Sequence, residues 1–340
     1  VRRRMSLSVA AMTAAMTFLL AGCASTYAPP VAPSVGAAGE GAGDHLSPVT
    51  VGILPIVDVA PIYLGLDKGV FEKHGIALTI DKAANGRDII NNVLSRRWQF
   101  GFSNVTSVVE EGTKTSNVKI VAAGNFSSGD PARDFGAMVA MPGSQIGSIE
   151  DLEGKTVAVN APKGINQSMV MEFMERAGGD PASIGFTAIG FGAMPAAIFA
   201  GQTEGEAPVP IQAAFLVEPH LSKAKALGAV EIPGTSYGAL DPGLMVACYF
   251  ASNDLLVTDP ELVANFRAAM TESLEIAQAD PEAARAILDE YTTIPPEVDK
   301  STMVLPQWKP GIHKESAILL GGLATKFYGS QANPDSVLTD

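Results

Sequence analysis

Between Val49 and Val217 short apolar, β-branched runs alternate with stretches of helical periodicity, and the alternation starts twice. The first passage opens with Val49-Thr50-Val51-Gly52-Ile53-Leu54, which reads as a strand. A helical pattern over residues 61–74 follows and stops at Gly75. Ile76-Ala77-Leu78-Thr79-Ile80 is a second strand, and residues 88–96 form a helix with Ile89, Ile90, Val93 and Leu94 on one face. Phe100-Gly101-Phe102-Ser103 and residues 118–123 add two more strands, with a short helix from Val105 between them. Strands separated by helices imply right-handed crossovers and a largely parallel sheet. The second passage has strands at Thr156-Val157-Ala158-Val159, Phe186-Thr187-Ala188-Ile189 and Ala214-Phe215-Leu216-Val217, with Met169, Val170, Phe173, Met174 and Ala177 at the core spacing of a helix. Two apolar strands, 135–141 and 244–251, flank it. The pattern predicts one α/β lobe inserted within another, joined by a two-segment hinge. Two further helices start at Asp259-Pro260-Glu261 and Asp280-Pro281-Glu282, each a cap followed by Pro and an acid in the first turn.

At 340 residues the chain is long enough for about two domains. Its formal charge is −13, and with Arg2, Arg3 and Arg4 set aside the remaining 20 of its 23 basic residues face 36 acidic ones. No basic stripe relieves that balance, so nucleic-acid binding is disfavoured. The four histidines, His45, His74, His220 and His313, stand too far apart in sequence for a metal-ligand motif. Cys248 lies in the apolar run Leu244-Met245-Val246-Ala247-Cys248-Tyr249-Phe250 and reads as a buried thiol.

Residues 1–22 combine the arginines with an apolar stretch too short to span a bilayer, as in a secretory signal. Leu20-Ala21-Gly22-Cys23 resembles the lipobox of bacterial lipoproteins. The resemblance implies diacylglycerol on Cys23, cleavage before it, and a membrane-anchored, extracytoplasmic body. Residues 24–44 are mostly Ala, Pro, Gly, Ser and Thr and read as a flexible linker, so that residues 23–46 form the tether.

The run Ala60-Pro61-Ile62-Tyr63-Leu64-Gly65-Leu66-Asp67-Lys68-Gly69-Val70-Phe71-Glu72-Lys73-His74-Gly75-Ile76 resembles the opening of the NitT/TauT (SsuA/NMT1-like) substrate-binding proteins of ABC importers. Asp151-Leu152-Glu153-Gly154-Lys155, Ala200-Gly201-Gln202, Glu218-Pro219 and Asp259-Pro260-Glu261-Leu262-Val263 resemble later landmarks of that family. One departure is the segment 203–211, longer than usual between Gly-Gln and Glu-Pro. The resemblance implies a type II periplasmic-binding-protein fold of two α/β lobes: residues 47–135 and 244–340 for the first lobe, 136–243 for the second. It also implies a monomeric receptor that needs no cofactor and delivers a small molecule to an ABC permease with its ATPase subunits. A nitrate-, sulfonate- or taurine-like anion is the favoured cargo, and a pyrimidine vitamin precursor or aromatic nutrient the alternative.

Open α/β sheets bind ligands at the carboxyl ends of their strands, beside helix N-termini with unpaired N–H groups. Such loops supply Asp58, Arg87, Ser103, Asn104, Thr106 and Asn125 in the first lobe. In the second they supply Lys163, Asn166, Gln167, Met194 and Glu218. Asn104, Thr106, Asn166 and Ser168 could contact ligand or cap helices. Arg87 and Lys163 could hold an anion or be solvated surface charges. Asp58 argues against a simple anion site, Glu218 could serve the interlobe structure instead, and Met194 could be core or cleft wall. Gly234-Thr235-Ser236-Tyr237-Gly238 has the spacing of a nucleophile elbow, but Pro233 before it and Asp241-Pro242-Gly243 after it predict a loop. No catalytic residue and no metal ligand is expected. An extracytoplasmic enzyme on the same fold and a sensor acting through a partner are the readings from other classes.

Overall fold

The computed structural model describes residues 46–200 and 211–338. Ten strands form two five-stranded sheets. In the first, β1 (Ser47–Ile53), β2 (Ile76–Lys82), β3 (Phe100–Asn104), β4 (Val118–Phe126) and β10 (Met245–Ser252) lie in the order β2-β1-β3-β10-β4. In the second, β5 (Gly136–Ala140), β6 (Thr156–Val159), β7 (Gly185–Ala188), β8 (Ala213–Val217) and β9 (Val230–Glu231) lie in the order β7-β6-β8-β5-β9. β1 runs parallel to β2 and β3, and β6 parallel to β7 and β8, as the βαβ pattern predicts.

The parallel expectation fails at one strand in each sheet. β10 is antiparallel to β3 and β4, and β5 is antiparallel to β8. The cause is topological: each is the strand by which the chain enters a sheet from the other lobe, with no helical crossover to reverse it. β3, β10 and β5 are buried along nearly their whole length, because helices or loops cover both faces.

Local chemistry sets the helix ends. The stretch expected as one helix over 61–74 is two, Ala60–Asp67 and Val70–Lys73, separated at Gly69, whose φ of 68° is a conformation side chains resist. Asn85 Oδ1 accepts from Asp88 N to start the helix Gly86–Leu94. Asp259 accepts from Leu262 N to start Pro260–Ala279, and Asp280 from Ala283 N to start Pro281–Ala286. That last helix ends at Ala286 and a separate turn, Leu288–Tyr291, carries the rest of the expected pattern. In the first lobe Phe266 of the long helix stacks on Phe100, with centroids 3.8 Å apart. Among the described residues no helix is long and apolar enough to cross a membrane.

Two stretches connect the sheets, between β4 and β5 and between β9 and β10, and they brace one another. Ser127 N donates to Leu244 O at 2.8 Å and Ser127 Oγ to Pro242 O at 2.7 Å. Asp134 accepts from the backbone N–H of Ser128, Phe135 and Gly238, so one carboxylate ties both crossings together. The C-terminal helix Lys314–Tyr328 makes a third connection. It packs against Val105–Thr115 of the first lobe, while Lys326 pairs with Glu172 (2.8 Å) and Glu175 of the second. Tyr328 Oη and Ser168 Oγ lie 3.0 Å apart across the same boundary.

Candidate functional site: a buried polar cluster between two lobes

The loop after β1 turns into a short 3-10 segment, Val57–Val59, which buries Asp58. Two aromatic side chains from the C-terminal part fix this loop through its backbone. Trp308 Nε1 donates to Asp58 O at 3.1 Å, and Tyr291 Oη donates to Ile56 O at 3.2 Å. From the second lobe, Glu218 O accepts from Val57 N at 2.9 Å. The Asp58 backbone is therefore held from three directions, while its Oδ2 has no hydrogen-bond partner.

Strand register brings Asn125 and Tyr249 toward it, whereas Ser103 lies on the opposite face of the sheet from Tyr249, its Oγ against Gly86. Ala247 of β10 pairs with Asn104 on one side and Asn125 on the other. Ser103 Oγ, Thr106 Oγ1, both amide atoms of Asn125 and Tyr249 Oη are buried without a partner. Buried polar atoms in folded proteins are nearly always satisfied, so a concentration of orphans at strand ends marks a place for a ligand or water. Asn125 lies close enough to Asp58 to favour its ionised form, yet no hydrogen bond closes between them.

The electrostatics of the interior are acidic and weakly compensated. Burial raises Asp58 to about 7, against the smaller opposing effects of backbone and Asn125, with Asp134 adding repulsion. Burial likewise raises Glu218 to about 7 and Asp134 to about 6, despite the hydrogen bonds each accepts. His220 is pushed down to about 3 by burial, so it is neutral; neither ring nitrogen has a partner, and its ring stacks on Phe191. The buried charged side chains among the described residues are Asp58, Glu110, Asp134, Glu172 and Glu218, with no Lys or Arg.

The other sequence-predicted residues divide into three groups. Asn104, Gln167 and Ser168 act on backbone: Asn104 Oδ1 accepts from Ser107 N, Gln167 Oε1 accepts from Lys163 N, and Ser168 Oγ donates to Gly164 O. Asn166 is buried, accepts from Tyr237 Oη at 2.8 Å and donates to Asn160 Oδ1 at 3.0 Å. The Glu218 carboxylate is taken up by Ser222, whose N–H and hydroxyl both donate to it. Met194 is fully buried in the apolar core. Arg87 stands apart from these atoms, in a cavity of about 280 Å³ lined from the first lobe by Asn85, Arg87 and Glu110, and from the second by Asn160, Pro162 and Gly190. Lys163 lies nearby over the Tyr328 ring, and it, Arg87 and Lys114 all act on Glu110, whose burial nonetheless raises its pKa. Cys23, the signal and tether, and the segment 203–210 lie outside the described residues.

Sequence reading left out the tyrosines. Tyr237, Tyr249 and Tyr291 are buried and each feels the Asp58 carboxylate, while Tyr63 stacks on Tyr291 at 4.1 Å. Their spacing along the chain carries no motif; only the fold brings them together. Ser236 of the Gly-x-Ser-x-Gly match is a cap: its Oγ accepts from Ala239 N and donates to Pro131 O. Among the described residues no group of three His, Cys, Asp or Glu is placed to hold a metal ion.

Known structures share this fold. The chain superposes on a zinc-bound ligand-binding component of an ABC-type import system from Staphylococcus aureus with a TM-score of 0.72 at 14% identity, covering 86% of this chain and 96% of that one. The alkanesulfonate-binding protein SsuA from Xanthomonas axonopodis pv. citri, bound to MOPS, gives 0.69 at 14%, covering 85% and 95%. The periplasmic nitrate-binding protein NrtA from Synechocystis PCC 6803 gives 0.69 at 13%, covering 86% of each chain. At these identities the likeness establishes the type II periplasmic-binding-protein fold. No curated protein matches the chain at a significant level. The NMT1/THI5 like family profile matches residues 56–284, about two thirds of the sequence, and on that ground the chain belongs to the NMT1/THI5-like family.

Proposed function

We propose that this protein is the extracytoplasmic solute receptor of an ABC importer, capturing a small molecule between its lobes and presenting it to a permease. The observation that carries this reading is the cluster of unpartnered buried polar atoms at Asp58, Ser103, Thr106, Asn125 and Tyr249. Asp58, Ser103, Thr106 and Asn125 lie at or just after the carboxyl ends of β1, β3 and β4, in a lobe joined to the second by two connecting segments. Such a cluster binds and orients a solute; nothing in it pairs a nucleophile with a base. The structural neighbours named above as import or solute-binding components support the same role. In this reading Cys23 carries the lipid, residues 24–44 are the tether, and one receptor works as a monomer.

Two cargo classes follow from the sequence. An anion of the nitrate, sulfonate or taurine type would draw on Arg87, Lys163 and helix starts, whereas a nitrogen-bearing heterocycle would draw on Asp58. The acidic interior favours the second. Native mass spectrometry of the full chain in detergent, followed by titration calorimetry, tests the receptor role. One-to-one binding of a compound recovered unchanged is the expected result. Chemical conversion of the bound compound would replace the receptor reading with an enzymatic one.

A further inference from the structure

We infer that the cargo carries an N–H donor group, an amine, amidine or ring amine, that docks on the Asp58 carboxylate. The inference rests on the receptor reading and names the cargo's chemistry. Asp58 is 2% exposed, with Oδ2 unpartnered and its backbone fixed by Trp308 and Glu218, which makes it a rigid acceptor. A buried carboxylate without a counter-charge is strongly disfavoured, so proteins pair it, protonate it or leave its partner to a ligand.

Among the described residues no positive charge acts on Asp58. The groups acting on Asp58 or feeling its charge are Asn125, Asp134, Tyr237, Tyr249 and Tyr291, with Tyr63 stacked behind; none carries positive charge. The neighbouring His220 is neutral. Arg87 and Lys163 act on Glu110 instead, Arg87 from a cavity that Asp58 does not line and Lys163 from over the Tyr328 ring. A cationic or N–H-rich ligand head would supply the missing charge and donors at once. Asn125 Oδ1 and Tyr249 Oη remain as further acceptors, and the tyrosine rings suit a cation or a flat ring.

The rival is an anion bound by the start of helix Ile165–Arg176, whose N-cap Gly164 supplies no side-chain hydrogen bond. A second rival is a protonated Asp58 donating to an anion's oxygen. Matched ring compounds separate them: benzamidine against benzoate, 4-aminopyridine against pyridine, with nitrate and benzenesulfonate alongside. Each is titrated by thermal shift and calorimetry into the dialysed full chain and into Asp58→Asn. We expect binding by the N–H donor member of a pair. Its affinity should rise about tenfold from pH 6 to pH 8 as Asp58, at about 7, ionises. In Asp58→Asn it should fall at least about 30-fold, the loss of a buried charge-assisted hydrogen bond.

The wild-type pH profile needs no variant, so a misfolded Asp58→Asn does not rescue or spoil the test. Affinity that falls from pH 6 to pH 8, or an anion that binds equally well to wild type and Asp58→Asn, overturns this inference while leaving the receptor in place. Absence of binding by every compound overturns both.

Discussion

Replacing Asp58 by Asn keeps the side chain's size and removes its charge, so it isolates what burying that charge does to the ligand-free protein. Asp58 moves from its ordinary 3.8 to about 7 on folding, chiefly through burial. A carboxylate whose folded pKa is raised binds more protons folded than unfolded over that interval. Its contribution to stability is therefore fully present below pH 3.8 and lost as pH rises through 7. About three pH units at roughly 1.4 kcal/mol each set an upper bound of about 4 kcal/mol. In a protein of this size that corresponds to about 10 °C in melting temperature. The dialysed wild type should thus lose stability between pH 5 and pH 8, and Asp58→Asn should lose less. The variant should be the more stable at both ends, with the gap widening by about 3 kcal/mol from pH 5 to pH 8, the part of the loss that lies in this range. Glu218 and Asp134, raised to about 7 and about 6, leave the variant a residual slope of the same sign. Differential scanning calorimetry across this range is the assay. Parallel pH profiles for the two proteins would refute an uncompensated carboxylate at Asp58.

Tyr237→Phe should destabilise by about 1–3 kcal/mol in urea, because Asn166 Oδ1 then loses the hydroxyl that donates to it inside a buried site. Gly136→Ala would place a methyl group within the Tyr237 ring; repacking should cost about 1–3 kcal/mol and weaken ligand binding, read by urea denaturation and calorimetry. Removing the C-terminal link with Lys326→Ala and Tyr328→Phe together should change stability by no more than about 1 kcal/mol, since these groups are partly exposed. The same pair of changes should raise ligand Kd several-fold and widen the lobes in small-angle scattering. An unchanged Kd would show that the link plays no part in closure.

The layered α/β fold was legible because it rests on local signals: β-branched runs, apolar helix faces, and caps such as Asp259 and Asp280 ahead of Pro. The break at Gly69 and the ending at Ala286 were not, since a pause in a helix depends on what it packs against. The antiparallel β5 and β10 escaped because strand direction is set by where the chain arrives from, which composition does not encode. At the site, sequence position sufficed for Asp58, Ser103, Thr106 and Asn125, all at or just after strand ends. It could not distinguish a ligand-facing amide from a cap, and Asn104 and Gln167 serve backbone groups. The tyrosines come from residues 63, 237, 249 and 291, and only the tertiary fold makes them neighbours.

The same unsatisfied groups bear on how a receptor of this design avoids closing empty. Among the described residues the lobes are held together by Val57 to Glu218, Lys326 to Glu172 and Glu175, and Tyr328 to Ser168. Opposing them are six buried polar atoms without partners at Asp58, Ser103, Thr106, Asn125 and Tyr249. Each such atom disfavours burial by roughly 1–3 kcal/mol when no water reaches it. Surface ion pairs such as those of Lys326 return at most about 1 kcal/mol apiece. On this reckoning an empty closed state is the disfavoured one, and opening lets water satisfy the strand ends. A ligand that fills the cluster removes that penalty in the closed state alone, which is the differential affinity a population shift requires. The polar atoms the fold leaves unpaired are then what makes closure report occupancy to a permease.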